Sequence, residues 1–454
     1  MFGSTHQKGV CGRSPRAIPP CRKRRLVSPR ASPRSLRSSP VSRRELLRTG
    51  ALVGAASLAG CLGLDPTDPP TAWSPAPNSW PLAGYDGRHT RRNPNASPPR
   101  DPTVDWRVQD QTAEFETLVV ADGGVFVGGT SVRAYETDGS LRWKLNRGAM
   151  AMGVVDGTLY VADNPDGVAA VSPDDGTVAW TVEFDHVAYG VLPTTDRVFV
   201  ASHNRHVCLD AETGDVRWAQ WAEGGVGPTG VALGDALYTA DVGSVARRSP
   251  RGVVARLRGR PPAVDWEATR GLEFPHAPVL GDGMVFVPDE SFASERSGGV
   301  TAFGAADGSV RWTRELGREA YTPALAGEML VTGAWDEDGE RYELVALDRW
   351  NGSVRWRVEP GHWVGSVAVA DGVVVAAGGD TDGGVAGAVS AYGLDGSHEW
   401  TVETAGDVLT VALVGDRVYV THVRVRSTRS AKHEVGRDAT LDELRRSTKP
   451  EHTR

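Results

Sequence analysis

Lysine is almost absent from this chain of 454 residues: there are five, and arginine supplies nearly all of the 50 basic side chains. Cysteine is equally scarce. Of the four, Cys11 and Cys21 lie in a basic N-terminal segment expected to be lost, which leaves Cys61 and Cys208 and no disulfide framework. No Cys-Cys pair, Cys-x-x-Cys-His haem motif, Gly-x-Ser-x-Gly elbow or phosphate loop occurs. Positive charge is also short once the first 60 residues are set aside, with 37 basic residues against 56 acidic ones. That balance excludes nucleic acid as the principal partner, because phosphate binding needs a basic surface. An acidic, lysine-poor chain is typical of salt-adapted, halophilic proteins, and its net charge concerns solubility rather than fold. No apolar run is long enough to span a bilayer.

What recurs is one phrase. Cys208-Leu209-Asp210-Ala211-Glu212-Thr213-Gly214-Asp215-Val216-Arg217-Trp218 reads as the end of one strand, an acidic turn closed by glycine, and a strand ending in tryptophan. It returns at Ala346–Trp356 and, less completely, before Trp143, Trp180, Trp312 and Trp400. Val264-Asp265-Trp266 is a weaker copy, and Thr103-Val104-Asp105-Trp106 carries the last strand alone. The eight tryptophans at 106, 143, 180, 218, 266, 312, 356 and 400 are spaced by 37 to 48 residues, a period that signals a repeat architecture.

Between consecutive tryptophans lies an apolar hairpin. Its turns are Asp122-Gly123, Asp156-Gly157, Gly234-Asp235, Asp282-Gly283, Asp371-Gly372 and Gly415-Asp416, with weaker signals at Asp196-Arg197 and Gly327-Glu328. Eight hairpins and eight tryptophan strands predict an all-β fold, an eight-bladed β-propeller of four-stranded antiparallel blades. Trp106 precedes the first hairpin and no tryptophan follows the last, so an N-terminal strand is expected to close the ring and remove its open edges. The expected propeller spans residues 80–427, with 428–454 read as a disordered tail holding a short helix behind a capping box at Thr440-Leu441-Asp442-Glu443.

Residues 1–60 read as a disordered leader and an export signal. Arg43-Arg44 followed by the short apolar run Ala51–Ala59 resembles a twin-arginine signal, and Leu58-Ala59-Gly60-Cys61 resembles a lipobox with Cys61 as the lipidated residue. The Pro/Thr/Ser-rich stretch 61–79 is then a flexible tether. These features predict a protein lipid-anchored to the outer face of the cytoplasmic membrane.

The repeated Ala-x-Asp-x-x-Thr-Gly-x-x-x-Trp phrase resembles the tryptophan-docking motif of the pyrroloquinoline-quinone propeller superfamily, and the lead-in Trp80…Gly84-Tyr85-Asp86…Thr90-Arg91 resembles the opening of those chains. The resemblance implies tryptophans stacked between neighbouring blades. It also implies one of two functions. Some members are calcium- and quinone-dependent alcohol dehydrogenases; others are non-enzymatic and similar to the outer-membrane assembly lipoprotein. The dehydrogenases carry adjacent cysteines against the quinone, which this chain lacks, and no residue here matches their catalytic Asp or calcium ligands. The reading is therefore a protein-binding scaffold without catalytic, cofactor-binding or metal-binding residues. A quinone-dependent oxidoreductase using pyrroloquinoline quinone and calcium, or a ligand sensor, is the alternative. A basic patch at Arg247, Arg248 and Arg251 is the candidate partner surface, weighed against a solvated loop. His203-Asn204-Arg205-His206 and the acidic stretches Asp336–Glu340 and Asp380–Gly383 are read as solvated loops. Cys208 stands where another repeat has Ala346 and is expected to be a small core residue.

Overall fold

The computed structural model describes residues 73–110, 115–163, 167–184, 187–202, 205–222, 226–250, 259–291, 298–336, 341–379, 387–426 and 436–446. Arg43, Arg44, Cys61 and Arg251 lie outside them. The described residues contain no helix and form eight antiparallel sheets, all within the compact unit Leu64–Arg454. Blade 1 is typical: Phe115–Ala121, Gly124–Gly129, Val132–Glu136 and Leu141–Leu145 pair in sequence order. Blades 2 to 7 follow over 151–182, 188–221, 226–269, 274–317, 319–358 and 366–404.

The first three strands of each blade are largely apolar and buried, whereas the fourth alternates outward. Neighbouring sheets pack face to face: Phe126 and Trp143 of blade 1 share a core with Met152, Leu159 and Val161 of blade 2. No blade can bury its own faces, so the ring is the smallest stable unit.

Blade 8 closes the ring as the phase of the tryptophans requires. Its strands are Asp407–Val414, Arg417–Arg426, Gly436–Arg446 and, outermost, Pro102–Asp110, with Trp106 opposite Glu443. The third strand corrects the sequence reading, which set 428–454 outside the propeller and put a short helix behind residues 440–443. The apolar alternation of a strand is masked there because Asp442 and Glu443 are themselves buried, at 1% and 0% exposure. Each has partners. Arg107 donates to Asp442 from Nε and Nη2 at 2.7 and 2.8 Å, His422 Nε2 lies 3.2 Å from it, and Trp106 Nε1 donates to Glu443 at 2.6 Å. Burial alone would raise the Asp442 carboxyl, but the bonds from His422 and Arg107 outweigh it and hold the group below the usual carboxylate range.

The repeat tryptophans lock each blade to the next. The indoles of Trp106, Trp143, Trp180, Trp266, Trp312 and Trp356 cover the turn glycines Gly139, Gly176, Gly214, Gly308, Gly352 and Gly396 of the following blade. A Cβ on any of these glycines would lie 2.5–3.0 Å from the ring. Each Nε1 also donates to a carbonyl of the same turn at 2.8–3.1 Å. Trp400 differs for a topological reason: strands three and four of blade 8 come from opposite ends of the chain, so among the described residues no turn faces it and its buried Nε1 has no partner. The turn facing Trp218 falls largely outside the described residues.

Candidate functional site

The lead-in before the first blade distinguishes the two ends of the ring. It lies across one mouth of the central channel and bonds to the innermost strands of all eight blades. Trp80 exchanges backbone bonds with Val120 at 2.7 and 2.9 Å, Pro81 O accepts from Val154 at 2.9 Å, and Trp73 Nε1 donates to Pro193 O at 3.1 Å. Gly87, Arg88, Thr90 and Arg91 carbonyls then accept from Leu233, Leu280, Leu325 and Val369 at 2.7–2.9 Å, and Ser97 donates to Gly415 at 2.7 Å. All these contacts fall near the hairpin turns, so that face is plugged. Trp80, Leu82 and Tyr85 seal the plug at 1%, 2% and 4% exposure. Sequence reading took this stretch as a lead-in carrying the family resemblance, without placing it at a channel mouth.

Outside the plug a concavity of about 750 Å³ runs against the rims of blades 3 to 6. Two of its arginines are paired within it, Arg349 with Asp282 at 2.5 Å and Arg88 with Asp86 at 3.8 Å.

At the opposite mouth, left unplugged by the described residues, blades 5 to 7 bring together a cluster of aromatic, carboxylate and arginine side chains. Prolines place it. Pro275 and Pro278 interrupt the innermost strand of blade 5, and Pro323 interrupts that of blade 6, because proline donates no ladder bond. His276 and Tyr321 stand in these breaks. His276 Nε2 lies 2.6 Å from Glu290 Oε1. The Tyr321 hydroxyl donates to Glu319 and accepts from Trp363 Nε1 at 2.7 Å. The Tyr321 and Trp363 rings meet edge to face at 5.7 Å, and His276 lies 6.4 Å from Tyr321. Beside them Trp335 stacks on Tyr342 at 5.9 Å, and the Arg318 guanidinium lies 5.5 Å from the Trp335 ring. Phe274 projects at 49% exposure. On the same face at blade 3, Trp221 is 61% exposed beneath Arg205, 4.0 Å away.

Burial, reinforced by the bond to Glu319, pushes the Tyr321 phenol far above its ordinary range, so it acts as a neutral donor and not as a base. Burial also raises Asp289, against the bonds it accepts from the backbone N–H groups of Glu273 and Phe274. Among the described residues no group of three or more His, Cys, Asp or Glu side chains converges on a point where a metal ion could sit. The cluster offers aromatic faces, an arginine and hydrogen-bonding edges, the composition of a binding surface.

The basic patch expected on blade 4 is not assembled by its described members. Arg247 is engaged by Asp265 and, at 3.0 Å, by Asp235. Arg248 is 5% exposed and donates to Thr239 Oγ1 and Gln220 Oε1 at 3.2 and 2.9 Å. Cys208 is fully buried, its thiol pushed up to about 12 by burial, and His206 is buried against Asp241 at 2.6 Å. Sequence reading missed the mouth cluster, although a signal existed: Trp335, Trp363 and Trp221 are tryptophans outside the repeat register.

Comparison with known proteins agrees with this architecture. A repeat-family model described as outer membrane protein assembly factor BamB matches in overlapping copies over residues 128–269, 207–326, 252–357 and 296–431. No curated protein sequence matches. Among solved structures, BamB from Moraxella catarrhalis is 16% identical, with a TM-score of 0.55 over 78% of this chain and 99% of that one. The quinohemoprotein alcohol dehydrogenase ADHIIG from Pseudomonas putida HK5 is 13% identical, with a TM-score of 0.60 over 81% and 80%. A europium-containing methanol dehydrogenase is 10% identical, with a TM-score of 0.61 over 82% and 98%. At these identities the likeness is one of fold, and it spans BamB and dehydrogenases alike. The family match covers more than half of the sequence, and the chain therefore belongs to the PQQ-type repeat propellers described as outer membrane protein assembly factor BamB.

Proposed function

We propose that this protein is a membrane-anchored extracytoplasmic scaffold that binds another protein through the unplugged mouth of its propeller. The observation that carries the reading is the aromatic and arginine surface of blades 5 to 7. Trp335, Tyr342, Trp363, Phe274 and Arg318 are the residue types that dominate binding energy at protein interfaces. The family description, an assembly factor, supports the same class of function. The anchor rests on Arg43-Arg44 and Cys61: replacing both arginines by lysine is expected to hold the precursor in the cytoplasm, and Cys61→Ser to release the mature domain from membranes.

The fold relatives that use quinones raise the alternative of an oxidoreductase. The mouth does not suit that group. Three quinone carboxylates would meet Glu273, Asp289, Glu290 and Glu319, while Arg318 is already stacked on Trp335. The described residues also lack a calcium-ligand group. The test is to purify wild type and the Phe274→Ala/Trp335→Ala variant from detergent-solubilised membranes, and to titrate each with pyrroloquinoline quinone and calcium. The scaffold reading expects a partner that is lost with the variant and no saturable quinone binding. Saturable binding with alcohol-dependent dye reduction would replace it with the oxidoreductase.

A further inference from the structure

Arg91 is a partly buried cation to which the described residues supply no counter-ion. Its backbone is in the plug, with its carbonyl accepting from Val369 on the innermost strand of blade 7. Its side chain runs back along that strand to Ser366, three residues and roughly 10 Å further into the channel. There Nη1 lies 3.4 Å from the Ser366 hydroxyl, a weak contact, and Nε is sealed from solvent with no hydrogen-bond partner. The residue as a whole keeps part of its surface accessible, and the seal falls on Nε. Its pKa is drawn down to about 10 by burial, and no carboxylate contributes to the shift. His89, the neighbouring titratable group, is itself driven down to about 4 by burial and is neutral.

A partly enclosed charge without a partner carries a desolvation cost that a bound anion would relieve. The backbone is also committed to the arrangement. Tyr85, His89 and Arg91 adopt φ of 74°, 56° and 50°, a left-handed conformation that is costly for residues with a Cβ. Holding an arginine in such a backbone, with its guanidinium beside Ser366, is not needed to seal the mouth, since Trp80, Leu82 and Tyr85 already do so.

We propose that Arg91, with Ser366 beside it, forms a small-anion site at the floor of the central channel, binding one halide or short carboxylate. The anion neutralises the guanidinium and ties the plug to blade 7. The site is separate from the aromatic mouth and goes beyond the scaffold function. It makes plug stability depend on the anion present and not on ionic strength alone.

The experiment follows thermal unfolding of the purified full chain at constant ionic strength, with bulky sodium gluconate exchanged for chloride, acetate or phosphate. Wild type is expected to gain stability saturably with chloride or acetate, as a ligand that binds only the folded state requires. Whichever of the two saturates at the lower concentration identifies the source. Arg91→Gln is expected to lose the saturable gain and, in gluconate, to melt at or above wild type, because the unpaired charge is gone. Ser366→Ala is expected to weaken binding about 3- to 10-fold, the worth of one neutral hydrogen bond, and it reads the same site should Arg91→Gln fail to fold. Identical anion dependence in wild type and Arg91→Gln would overturn the proposal. So would an unchanged midpoint in Ser366→Ala, or a response to phosphate alone.

Discussion

Substituting Gly352 tests the blade-to-blade lock directly, because a second glycine supplies the control. Gly352 has φ of 68°, and an added Cβ would meet Trp312 Cε3 and Cδ2 at 2.5 and 2.7 Å. Gly372 has φ of 75° and open space around the same position. Both alanine variants carry the left-handed penalty of about 1–2 kcal/mol. Only Gly352→Ala must also displace an indole that is 8% exposed and bonded to Arg349 O at 2.9 Å, an overpacking cost of about 1–3 kcal/mol more. The expected losses are therefore about 1–2 kcal/mol for Gly372→Ala and about 2–5 kcal/mol for Gly352→Ala. Trp312→Ala alone is expected to cost about 3–5 kcal/mol, and in that background Gly352→Ala should fall back to the cost of Gly372→Ala. Urea titrations at fixed high salt, compared through their midpoints, measure all four quantities. Equal losses for the two glycines, or an undiminished Gly352→Ala cost without the indole, would refute the docking account.

Other outcomes follow from the same structure. Asp442→Asn leaves Arg107 and buried His422 without their shared carboxylate and is expected to cost about 3–5 kcal/mol, with protease cleavage appearing first in the closing blade. Because the Asp442 carboxyl is held below its usual range, its contribution is present above the unfolded pKa near 3.8 and fades as pH falls through the lower folded value; the Asn variant should lack that acid transition. His89 runs in a higher window. It is neutral in the fold with a pKa of about 4 against 6.5 unfolded, so stability is full above pH 6.5 and is lost as pH falls toward 4. His89→Asn should flatten the urea midpoint across that range.

The repeat was legible because glycine and tryptophan answer local constraints that recur in every blade. Gly214 and Gly352 close turns, and the indole of the preceding blade covers each of them. Ring closure through Trp106 was legible from phase alone. The third strand of blade 8 was not, since its buried carboxylates are satisfied by residues more than 300 positions away, at Trp106 and Arg107. The plug was hidden for a related reason: its order comes largely from backbone bonds to seven separate blades, which leave no side-chain pattern. The mouth cluster depends on loop geometry, and its prolines and off-register tryptophans were visible without their meeting point being so.

Photocrosslinking tests the central claim, that a protein docks at the unplugged mouth. A photoreactive amino acid is placed at Phe274, which projects from the mouth, and in a second variant at Leu141, which is 57% exposed on blade 1 near the plugged face. Irradiation of intact membranes is expected to give one discrete protein adduct from position 274, absent from position 141 and lost when Trp335→Ala is added. Adducts from Leu141 alone, or an adduct at 274 indifferent to Trp335, would place the partner elsewhere and contradict the account.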